Sequence, residues 1–115
     1  MSGIRSFGPF SSPEEADGSR WAWPPVLTEA LEREARIIGR PCWLSGATFQ
    51  RIAHLASPCL YVLTIVLVPE NMEVQGMEQH TVRVVSYVVD GDEPDVLGQH
   101  LGSSIAFVSM DRYYS

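Results

Sequence analysis

The sequence predicts an α+β domain in which two N-terminal helices pack on a three- to four-stranded antiparallel sheet. Three observations carry that prediction. Val26 to Ile38 repeats its apolar residues at helical spacing, Cys59 to Val68 is a continuous apolar run, and His80 to Val89 alternates ahead of the turn signal Asp90-Gly91. At 115 residues the chain has room for one such domain. Residues 1–24 read as a flexible arm rich in Pro, Ser and Gly, and residues 25–115 as a single α+β domain.

Within the arm, Ser12-Pro13-Glu14-Glu15 is a local exception. Ser12 suits a helix cap, Pro13 the first helical position, and Glu15 can close a capping box, with Gly18 ending the turn. Trp21 and Trp23 then stand just before Pro24-Pro25. These two tryptophans either fold over the first long helix as a lid or anchor a partner's groove, where tryptophan is favoured.

In the first long helix Leu27, Ala30, Leu31, Ala35 and Ile38 share a stripe. Glu29/Arg33 and Glu32/Arg36 are i,i+4 pairs on its outer face, and Gly39 is placed to stop it. A second, shorter helix is expected after Ser45, with Phe49, Ile52, Ala53 and Ala56 on one face and Ser57-Pro58 closing it. The apolar run to Val68 reads as a central strand covered on both faces. A polar connection, Pro69 to Gln79, leads to the alternating strand. Val96 to Leu101 is expected as a short edge strand and Ser104 to Met110 as the last strand. Leu63, Ile65, Val84 and Phe107 are expected to be buried together.

Composition narrows the function. Hydrophobic residues make up 45% and charged residues 19%, an ordinary globular balance. The net charge is −6, and all eight basic residues are scattered arginines, so no phosphate-binding face and no nucleic-acid partner is expected. The apolar run is too short to span a bilayer, the first ten residues lack a signal-peptide core, and Cys42 and Cys59 make no disulfide framework. A cytoplasmic protein without a membrane partner is the expectation.

Candidate chemistry is weak throughout. Asp90, Asp92, Glu93 and Asp95 have their glycine in the wrong place for a calcium loop and lack the distal glutamate, which leaves a solvated acidic turn. Cys42, Cys59 and His54 lack an activating context for a nucleophile and base. His54, His80 and His100 lack metal-site spacing, and no nucleotide-binding glycine loop is present. No catalytic residue, metal or cofactor is therefore expected, and the chain reads as a protein-binding module. Its predicted contact residues are the edge segment Val96, Leu97, Gly98, Gln99, His100 and Leu101, together with Trp21 and Trp23.

Three strings carry a family resemblance: Leu60 to Leu67, Val82 to Asp90 with its acidic turn, and Ser104 to Tyr114. Together with the order of elements they resemble the Tctex-type dynein light chains, from about Val26 onward. The resemblance implies a homodimer or heterodimer, partner peptides bound by strand addition, and a cytoskeletal or axonemal location. Two other classes stay open. One is a small acidic inhibitor or immunity-type protein that blocks a basic partner surface. The other is a small cone-shaped α+β enzyme, for which Ser86 and Thr64 are the inward polar candidates.

Overall fold

The computed structural model describes residues 4–52, 60–69 and 79–109, with 4, 79–81 and 107–109 described by their backbone. His54, Cys59, the connection at 70–78 and the residues after Ser109 lie outside that set. The fold is α+β, as predicted. Its sheet is larger than expected, with five antiparallel strands in the sequential order β1-β2-β3-β4-β5.

The arm supplies the first strand, β1 (Ile4–Phe7), which pairs Arg5 with Phe49 and Phe7 with Ala47. It also supplies α1 (Pro13–Gly18). Ser12 caps α1 by accepting from the Glu15 N–H at 3.1 Å. The Glu15 carboxylate reaches back one residue further than a capping box would, to the Ser11 N–H at 3.0 Å and the Ser11 hydroxyl at 2.8 Å. Those two bonds hold its carboxyl below the usual range.

A 3-10 turn (Arg20–Ala22) leads to α2 (Pro25–Ile38), one residue longer than predicted. Pro25 occupies the first turn, where no N–H is required. Gly39 ends α2 in the left-handed region at φ 81°, donating to the Ala35 carbonyl at 2.9 Å.

The predicted second helix is overturned over residues 46–51, while its Ala53, Ala56 and Ser57-Pro58 lie outside the described residues. Residues 42–51 instead make β2 (Cys42–Arg51), which lies between β1 and β3 (Leu60–Pro69). A register shift between Leu44 and Gly46 marks a bulge in β2. The bulge stretches the spacing of the buried residues Leu44, Ala47 and Phe49 to three and then two, which breaks the alternation of a regular strand. The alternating segment is β4 (Gln79–Asp90). The short edge strand expected over Val96 to Leu101 and the last strand expected from Ser104 are replaced by one strand, β5 (His100–Ser109), shifted in register at Ser86/Tyr87.

One face of the sheet is the core. Leu44, Ala47, Phe49, Leu63, Ile65, Leu67, Val85, Tyr87 and Val89 pack there with Val26, Leu27, Ala30 and Leu31 of α2. The opposite face carries Val62, Thr64, Val66, Val84, Ser86 and Val88, all half-buried, and no described helix covers it. Among the described residues, β3 is thus covered by helix on one face, not two. Leu63 and Ile65 are buried as expected, but Val84 lies on the other face, and the Phe107 side chain is outside the described set.

Candidate functional site

The two edges of the sheet differ. β1 has four residues, carries Arg5 with its guanidinium 4.9 Å from the Phe7 ring, and runs into Gly8-Pro9. Shortness, charge and proline all blunt an edge. β5 has ten residues and contains no proline, no aspartate or glutamate, and no lysine or arginine. No described strand lies beyond it.

The direction of the β5 backbone follows from its partners. Val88 donates to the Gln99 carbonyl and accepts from the Gly98 N–H, both at 2.9 Å, so the even-numbered residues of β4 bond toward β5. Gly102, Ser104 and Ala106 stand opposite Ser86, Val84 and Val82 and bond inward. By alternation, Ser103 and Ile105 present their N–H and C=O groups to the open side, and Leu101, left without a partner by the register shift, turns its C=O outward because the next N–H, that of Gly102, bonds inward. Ser103 and Ile105 share the α2 face with Val85 and Arg83, but both are exposed. Leu101 is 50% exposed and Ile105 63%.

The predicted contact residues separate. Val96 and Gln99 are exposed, but Leu97 belongs to the core. Gly98 sits so close to β4 that an added Cβ would overlap the Val88 carbonyl oxygen. The His100 ring packs edge-on to Tyr87 at 5.3 Å. Residues 96–99 are therefore not an edge strand, because Gly98 and Gln99 spend their backbone groups on Val88. The free edge starts at His100 and continues past Leu101 to Ser103 and Ile105, which sequence reasoning missed.

Trp23 is buried and donates its Nε1–H to the Ser19 hydroxyl at 3.1 Å, the lid role. Trp21 is fully outside, at 88% exposure. The acidic turn satisfies itself, with Asp90 accepting the Asp92 N–H at its carboxylate and the Glu93 N–H at its carbonyl. Among the described residues no group of carboxylates, thiols and imidazoles is arranged to hold a metal.

Beside β5 lies a buried polar cluster. Glu34, fully buried on α2, accepts from Arg83 Nε at 2.8 Å and from the Tyr87 hydroxyl. The Arg33 guanidinium stands 5.6 Å from the Tyr87 ring and also pairs with Glu29 at 3.1 Å. The signal for Glu34 was in the sequence, since it follows Leu27 and Leu31 at helical spacing on the apolar stripe. Burial first, and then the bond to Glu34 and its negative charge, push the Tyr87 phenol well above the ordinary tyrosine range.

The pH dependence follows from that direction. Above the unfolded phenol's pKa of about 10 the unfolded chain releases a proton that the folded chain keeps. The stabilisation is complete below that pH and is lost as pH rises toward the folded value. Urea midpoints should fall between about pH 9 and about pH 11, and Tyr87→Phe should flatten part of that fall. Identical slopes for the two proteins would show that the phenol titrates normally.

Comparison with known proteins adds no relative. No family model, curated protein or solved structure matches this chain. Its chemistry is therefore read from its own residues. A cleft of about 360 Å³ lies between α1 and β2, lined among others by Ala16, Arg20, Trp23, Cys42, Trp43 and Leu44. Its lining holds carboxylates, a guanidinium and a thiol, but no histidine, serine or threonine. Thr64 and Ser86, the polar pair considered for catalysis, lie on the opposite face of the sheet and bond to each other at 3.2 Å. No helix of the described residues is long and apolar enough to cross a membrane.

Proposed function

We propose that this chain is a non-catalytic protein-binding module that takes an extended protein segment along β5. The observation that supports it is the unprotected edge, ten residues without a charge or a proline and with Leu101, Ser103 and Ile105 directed outward. A strand added there gains main-chain bonds whatever its sequence, and alternate side chains meet Leu101 and Ile105. This is also the binding mode that the light-chain resemblance implies.

Ser103 allows a clean test. Its N–H faces outward, so proline there removes an edge donor without breaking the ladder to β4. Peptides of about ten residues, the length of a full strand, are selected from a displayed library against the native protein. Selected peptides should bind Ser103→Ala as they bind the native chain and Ser103→Pro at least about tenfold more weakly. Equal binding to the folded Pro and Ala variants would remove β5 as the docking edge. Gln99 is not the position for this test, because its carbonyl is already bonded to Val88.

A second reading is favoured by the exposed carboxylates of Asp92, Glu93 and Asp95 next to exposed Val96. In that reading the turn blocks a basic surface, and affinity would collapse with added salt. Strand addition, carried by main-chain bonds, would be far less sensitive.

A further inference from the structure

We propose that the strand β5 receives is β5 of a second copy of this chain, paired antiparallel about a two-fold axis through Ser103. The inference rests on the strand-addition reading and names the partner for it. It begins with charge. Each copy carries a net charge of −6, so two copies repel over most of their surface. β5 carries no aspartate, glutamate, lysine or arginine, so it adds no fixed charge to a contact with itself.

Register supplies the second argument. In an antiparallel ladder, residues whose backbone groups point outward must meet residues of the same kind. With the axis at Ser103, Ser103 meets its own symmetry mate, and Ile105 of one copy comes opposite Leu101 of the other, whose C=O points outward at the register shift. Leu101 and Ile105, the two large apolar side chains exposed among the described residues of β5, then cover each other twice. The axis stands perpendicular to the sheet, so both α2 helices lie on the same side and flank the four apolar residues. Ile37, 62% exposed on α2, is on that side as well. The product is one continuous ten-stranded sheet, five strands from each copy.

Sedimentation equilibrium of the full chain, with Ser103→Ala and Ser103→Pro, tests this. The native chain and Ser103→Ala should sediment as dimers, and Ser103→Pro, folded by circular dichroism, as a monomer. The register is tested by single cysteines on non-reducing gels, with the native chain as control for Cys42 and Cys59. Paired Ser103 Cα atoms would stand about 5.5 Å apart, within disulfide reach, so Ser103→Cys should crosslink and Ser104→Cys should not. A dimer that crosslinks only through Ser104→Cys would overturn the register and the proposal with it. A native monomer at concentrations where displayed peptides still bind would overturn the second copy while leaving strand addition standing. A Ser103→Pro dimer would place the dimer contact elsewhere and overturn the proposal, whatever the peptides show.

Discussion

Glu34→Ala should lower the unfolding free energy by about 3–5 kcal/mol, as expected when one partner of a buried ion pair is removed. The carboxylate is fully buried, and both groups it serves are fixed beneath α2. Without it the Tyr87 hydroxyl loses its acceptor at a site that is 1% exposed. Arg83, whose side chain is 20% exposed, keeps its charge with no carboxylate beside it. Glu34→Gln separates the two effects, because the amide oxygen still accepts from Tyr87 while the charge is gone. It should fall between the native chain and Glu34→Ala. Urea denaturation of the three proteins at neutral pH is the measurement. A loss under about 1 kcal/mol for the alanine variant would show that Arg83 swings to solvent and that the cluster contributes little.

Ile65→Ala and Val66→Ala, neighbours on β3, should differ sharply. Ile65 is fully buried under α2, and removing it leaves a cavity among Leu63, Leu67 and Val85, with an expected loss of about 2–5 kcal/mol. Val66 points to the opposite, half-buried face, where truncation removes apolar surface that water already reaches in part. Its loss should stay below about 1.5 kcal/mol. The same urea titration compares them directly. Equal losses would mean that both faces of β3 are packed, which was the expectation from its uninterrupted apolar sequence.

That expectation shows what local pattern conveys and where it stops. α2 and β4 were legible because each keeps one period from end to end, and β3 because its apolar run is long and unbroken, with Gly39 and Asp90-Gly91 marking the limits of α2 and β4. β2 was not, because its bulge breaks the alternation of a strand and it is held by pairing with a strand on either side. β1 was not, because Ile4–Phe7 is too short to show a period and is a strand only by pairing with β2. Of the candidate site, the location near His100 and Leu101 was legible. Its true extent depended on which residues of β5 bond to β4, and Ser103 and Ile105 follow only from that register. Trp21 and Trp23 differ for a similar reason, since the turn at Arg20–Ala22 buries one and exposes the other.

The pairing of β1 with β2 has a kinetic consequence. Every other neighbouring pair in the sheet is joined by one connection, and each can zip as a hairpin. β1 and β2 are separated by both helices, yet Phe7 must find Ala47. That contact closes the longest loop among the strand pairs, and its entropy is lost before any ladder bond is gained. β1 also has only four residues with which to recover it, and its partner edge exists only once β2 is in place. On a ribosome the order is harsher still, because β1 emerges before the strand that receives it. Of the five strands, the first to be synthesised has the longest loop to close before it pairs.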